Sequence, residues 1–143
     1  MVEAKEIESI FSEELSWIDD ESLQNDVVKV WKTAADQGGW KSLDVVPFTL
    51  LFDNSGTLTY QIVGGTHLCK AIYDKRDEEI NLDYLIAGAI LHDVGKLLEY
   101  EVKDNQVVKG PYGERFRHPV SGALLAKKLG LPDDIVLIIY AHS

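Results

Sequence analysis

The chain has a single cysteine, a single methionine and four prolines among 143 residues. A lone thiol, Cys69, excludes an internal disulfide, which suits a reducing compartment. Basic residues are scarce too: 14 Lys and Arg stand against 24 Asp and Glu, for a formal charge of −10. Such a balance repels extended nucleic acid and favours small substrates. Long apolar runs are also missing, and none approaches the ~20 residues that a membrane helix requires. Nor does Met1-Val2-Glu3-Ala4-Lys5-Glu6 place an apolar stretch after a basic region, as a signal peptide would. The expectation is a cytoplasmic protein with no membrane partner, part of whose negative charge is offset by bound divalent cations.

What is present describes one soluble globular domain over 1–143, with 45% hydrophobic and 27% charged residues. Ile7, Ile10, Phe11 and Leu15 recur at helical steps and predict an amphipathic helix over 2–17. A second helix is expected from Asp20 or Ser22 to Gly38-Gly39, with Trp31 and the nearby Trp40 as packing anchors. Residues 41–59 read as irregular or helical, with Pro47 and Asp53-Asn54-Ser55-Gly56 marking turns. Another helix is expected over 57–75. Asn81 caps the strongest pattern in the chain, a buried helix from Leu82 to Leu98. A small hairpin or an ordered loop follows near 99–109, then loop through Gly110-Pro111-Tyr112-Gly113. Helices are expected again from His118 to Leu129 and from Pro132 to His142.

The four histidines stand at 67, 92, 118 and 142, at intervals of 25, 26 and 24 residues. Each interval is about one helix plus one loop, so four helices can bring their imidazoles to a shared interior. Imidazole nitrogen with carboxylate oxygen suits Fe, Mn, Co, Ni or Zn better than Ca or Mg. His92 and Asp93 are neighbours about 100° apart around a helix, so both reach a point lying between their directions. Lys96 stands one turn further on the same side. A lysine beside cations is unfavourable unless an anion lies between them, and a substrate phosphate is the economical bridge. Gly95 keeps the helix surface low for a close approach. Arg115, Arg117 and Lys70 are further candidates to grip a phosphate. Cys69, about 200° around the helix from His67, reads as a core residue.

The string His92-Asp93-Val94-Gly95-Lys96, with His67 before it and His118 and His142 after it, resembles the His-Asp-x-Gly-Lys subset of the HD superfamily of metal-dependent phosphohydrolases. The resemblance covers roughly 57–143 and leaves 1–56 as an N-terminal helical extension. It implies an all-α, HD-type helical bundle with at most a small hairpin. It also implies one or two divalent metal ions held by His67, His92, Asp93, His118 and His142, with Asp93 bridging and Lys96 facing phosphate. Asp93 and Lys96 would carry catalysis, and the substrate would be a nucleotide or another small phosphoester.

Two departures from the family pattern qualify this. Some two-metal relatives carry a His-His pair where His142-Ser143 stands here, which suggests another branch or a less complete second site. The family's late Asp would fall beyond residue 143, which implies a chain ending inside the fold or an acid supplied from elsewhere. Two other readings use the same ligands: a di-iron oxygenase of the same superfamily, and a metal-binding or sensor module without turnover.

Overall fold

In the computed structural model, which describes residues 1–143, the chain opens with two short helices, α1 (Ala4–Ile10) and α2 (Ser12–Ser16). The single helix expected over 2–17 is thus broken at Phe11, whose φ of −106° and ψ of 24° leave the helical region. Phe11 is fully buried there, its ring 5.1 Å from that of Trp31, and the packing of this aromatic pair offsets the interrupted turn. Helix α3 (Glu21–Gly38) starts where the Asp20 carboxylate accepts from the Leu23 N–H and stops at Gly39, which adopts a left-handed φ of 72°. Thr57 and Asn81 cap α4 (Leu58–Asp74) and α5 (Leu82–Leu91) in the same way. Between α3 and α4 the chain is irregular from 40 to 57, pinned at the base of its loop by an isolated bridge between Pro47 and Thr57.

The long helix expected over 82–98 is interrupted. After α5 the residues His92 to Gly95 form a tighter turn, in which the Val94 N–H bonds Leu91 O and the Lys96 N–H bonds Asp93 O. A short α6 (Lys96–Glu99) follows. Apolar residues on both sides of His92-Asp93 hid this change, because both halves are buried and hydropathy alone does not distinguish them. Strands β1 (Tyr100–Lys103) and β2 (Gln106–Lys109) then pair antiparallel, with Tyr100 opposite Lys109. Asp104 and Asn105, at φ 53° and 62°, make the two-residue turn between them.

The segment expected as loop at 110–113 enters α7 (Pro111–Arg115) instead. Pro111 is preorganised for a first helical position, and the bare backbone of Gly113 lies against Glu99 O, where a Cβ would come within 2.2 Å. Helices α8 (His118–Lys128) and α9 (Asp133–Ala141) complete an all-α fold with one small hairpin.

One hydrophobic cluster joins the N-terminal helices to the rest, with Ile7 and Trp31 packed in the same core as Ile90, Leu97 and Ile139. Two of the three tryptophans anchor it through polar bonds. Trp31 Nε1–H donates to Ile90 O at 3.1 Å and Trp40 Nε1–H to Leu97 O at 2.7 Å, so α5 and α6 are each tied to the N-terminal half. Cys69 is only half-buried, outside that cluster, and burial still pushes its thiol pKa up. No helix is long and apolar enough to cross a membrane.

Candidate metal centre

The tight turn after α5, the start of α8 and the end of α9 deliver His92, Asp93, His118 and His142 to one place. The Asp93 carboxylate is its middle. His118 Nε2 and His142 Nε2 each lie 3.1 Å from Oδ1, and His92 Nε2 lies 3.4 Å from Oδ2. The His142 ring stands 5.0 Å from that of His92 and 5.3 Å from that of His118. Asp93 and His118 are buried.

The far nitrogen of each imidazole is also engaged. His92 Nδ1–H donates to Ala89 O at 2.6 Å, and His142 Nδ1–H donates to Ile139 O at 2.7 Å. His118 Nδ1–H donates to the Glu99 carboxylate at 3.1 Å, and the same oxygen also accepts the His118 backbone N–H. With Nδ1 occupied as donor, Nε2 faces Asp93 as a lone pair unless a second proton is added. Each Nε2 to carboxylate contact therefore requires either an imidazolium or a cation between the two atoms. Packing several imidazoliums around one carboxylate is costly, whereas a divalent ion would satisfy Asp93, His118 and His142 together, whose ligand atoms lie within 4.8 Å of one another. This is the pattern of metal-binding histidines, whose other nitrogen is fixed by a backbone carbonyl or carboxylate. By donor chemistry the residues fit a transition-metal ion.

In their protonated form the same imidazoles would donate to Asp93 directly. Burial alone would raise the Asp93 carboxyl, but hydrogen bonds from His118, His142 and His92 outweigh it and hold the group far below the usual carboxylate range. His92 is opposed by its own burial yet ends above the ordinary imidazole value, because of the adjacent Asp93 charge and hydrogen bond. Lys96 completes the cluster. Its buried ammonium lies 3.3 Å from Asp93 Oδ2 and donates to Phe48 O at 2.6 Å.

The other expected residues lie outside the cluster around Asp93. His67, on α4, points its Nε2 at the buried Glu14 carboxylate, 2.8 Å away, with Glu13 at 3.8 Å and the Trp17 ring edge-on at 4.8 Å. With those two glutamates it forms a separate acid and imidazole group. Lys70 pairs with Asp74 on its own helix at 2.8 Å. Arg115 is exposed at the end of α7. Arg117, the residue before α8, lines a cavity of about 530 Å³ together with Lys96, Lys109 and His118. The larger recess, about 800 Å³ between residues 44–57 and β2, touches none of the clustered histidines.

Sequence reading passed over Glu99 and Phe48. The signal for Glu99 was an acid directly after the apolar pair Leu97-Leu98, since a charge there must find a buried partner. Tyr100 lies beside it, its phenol pushed up to about 12 by burial and by the charges of Glu99 and Asp93, so it stays neutral at the cavity wall. Gly95 makes room for this geometry: a Cβ there would meet His118 O at 2.1 Å and Gly122 N at 2.8 Å. The close approach expected of Gly95 is thus made by the backbone of α8.

Searches of curated proteins and of solved structures return no match. A scan against family models matches the HD domain over residues 62–143. That span covers more than half of the chain, contains every histidine and takes in the whole of the cluster around Asp93, and on it the chain belongs to the HD domain family.

Proposed function

We propose that this protein hydrolyses a small phosphoester at a mono- or dinuclear metal centre held by His92, Asp93, His118 and His142. One observation carries the reading. Three imidazoles have Nδ1 tied down by protein acceptors and Nε2 turned toward a single buried carboxylate. A divalent ion of Fe, Mn, Co, Ni or Zn bound there would supply Lewis-acid charge to a phosphoryl oxygen and acidify water near neutral pH.

The chain's own groups do the rest. Asp93, held ionised, gives the centre its negative charge and can face two cations at once through its two oxygens. An ammonium carries three N–H donors. Lys96 points one toward Asp93 and gives one to Phe48 O, which leaves the third for a phosphoryl oxygen at the cavity wall. Held dry and preorganised, such a charge contributes more to a transition state than it would in water. Arg117 stands at the same cavity, positioned for a further phosphate oxygen. The substrate is a nucleotide or comparably small ester, since the net charge of −10 disfavours long nucleic acid. A cytoplasmic setting accords with the lone cysteine.

Metal analysis and a panel of phosphomonoesters and phosphodiesters test this directly. Asp93→Ala and His92→Ala should each lower bound metal sharply. Lys96→Ala should keep metal and lose turnover by about 10²-fold or more, the scale of one removed transition-state donor. Hydrolysis should proceed equally well without dioxygen. Normal metal content in both ligand variants would sink the site. A metal-loaded chain that hydrolyses nothing on the panel would count for a binding module instead.

A further inference from the structure

The loop between α3 and α4 carries Phe48-Thr49-Leu50-Leu51-Phe52, and it lies outside the matched family region. Its ends are held firmly. The Phe48 N–H donates to Gly56 O at 2.9 Å, and the Leu58 N–H donates to Val46 O at 2.9 Å. The tip is apolar yet uncovered, with Leu51 90% and Phe52 62% exposed. Its inner side forms one wall of the cavity of about 530 Å³ whose other wall carries Lys96, Arg117 and His118. The loop is joined to the metal cluster through one residue: Lys96 donates to Phe48 O and its ammonium lies 4.2 Å from the centre of the Phe48 ring.

A cavity with Lys96, Lys109, Arg117 and the cluster's His118 on one side and two phenylalanines on the other matches a ligand of the same split character. We infer that the loop over 47–57 is the specificity wall of the site, with Phe48 and Phe52 receiving a flat aromatic group of the substrate while the cationic side holds its phosphoryl group. This rests on the phosphohydrolase reading for its chemistry, but not for its binding. A bulky apolar group leaves water on entering, and the exposed loop tip gains the cover it lacks. Compact phosphoesters leave that wall uncovered and are the poorer ligands.

Two diesters with the same leaving group isolate the effect: bis(4-nitrophenyl) phosphate, whose retained group is aromatic, and methyl 4-nitrophenyl phosphate. In both, water adds oxygen to phosphorus, the P–O bond to nitrophenolate breaks, and the proton goes to solvent. The metal-loaded chain should prefer the aromatic diester in kcat/KM by about tenfold or more, the scale of burying one ring, mainly through KM. Phe52→Ser, at an exposed position that leaves the fold undisturbed, should lower the ratio toward the intrinsic value the two esters show with free metal ion. Tyr60→Ser, which removes an exposed aromatic in the first turn of α4 that does not line this cavity, should not. A ratio unchanged by Phe52→Ser overturns the inference.

A binding arm separates this from the function itself. NMR titration of the zinc-loaded chain with phenylphosphonate and methylphosphonate needs no turnover. Tighter binding of the phenyl compound, weakened by Phe52→Ser, supports the wall even if no ester is hydrolysed. Equal affinities overturn it. So does sedimentation showing that the wild-type chain self-associates, that Phe52→Ser makes it monomeric, and that ester preference does not change, for the occupant of the loop would then be a second copy.

Discussion

At His118 one hydrogen bond decides which nitrogen faces the centre. Glu99 accepts both its Nδ1–H and its backbone N–H, so a single buried carboxylate sets the ring's tautomer and anchors the start of α8. Removing it leaves two donors unmatched and frees the imidazole to rotate. Glu99→Ala is therefore expected to weaken metal binding by about 10–100-fold, the scale of a lost orienting partner. Competition with a chromophoric chelator measures this, with circular dichroism to show that the helices persist. Glu99→Gln retains an acceptor oxygen and should recover part of the affinity; no recovery, or unaltered affinity in the alanine variant, would make Glu99 merely structural. Residues of this kind explain where the sequence was readable. His92, Asp93 and Lys96 carry their meaning in adjacent positions, so their chemistry was legible. Glu99 gains its meaning from His118, nineteen positions away, and only the packing of α6 on α8 brings the two together. His67 shows the converse: its spacing matches the others, yet Glu14 and Trp17, both outside the matched region, occupy its surroundings.

At the level of elements, the site depends on the tight turn between α5 and α6. The caps Asp20 and Asn81 made the starts of α3 and α5 legible, because a cap is a local interaction. The turn at 92–95 was not, because its cause is the backbone of α8 lying against Gly95 rather than any local breaker. Gly95→Ala would drive a Cβ into His118 O and Gly122 N, backbone atoms that cannot swing aside. An expected loss of about 1–3 kcal/mol in urea unfolding follows from overpacking, and metal affinity should fall with it because His118 is displaced. Gly64 gives the opposite sign. It lies within α4, and a Cβ there meets nothing within 4 Å. Gly64→Ala should stabilise the protein by about 0.5–1 kcal/mol through helix propensity alone. Equal effects of the two substitutions would show that the close approach at Gly95 is unimportant.

Over the whole molecule, the N-terminal helices and the matched region share one core, and Trp31 and Trp40 bond across the boundary. The even histidine spacing suggested how helices would converge; the N-terminal half's share of that core could not be read from it, since buried tryptophans find partners only in three dimensions. A shared core makes unfolding of one part unfolding of all. An ion held by α5, α8 and α9 should then stabilise the molecule globally, by about 2.7 kcal/mol at a free concentration a hundredfold above Kd. For a chain of this size that corresponds to a rise in Tm of roughly 5–10 °C. Calorimetry with and without the cation checks it, and Asp93→Asn should abolish the shift. Two separate transitions, only one of them moved by metal, would refute the shared core.

The position of His142 sets an order of events. Helix α9 seats Ile138 against Gly88 of α5 and Ile139 against Gly122 of α8, and only that docking carries His142 to Asp93. Capture of an ion by the full cluster would therefore require the docking of α9, and the rate at which a refolding chain takes up metal would report that docking.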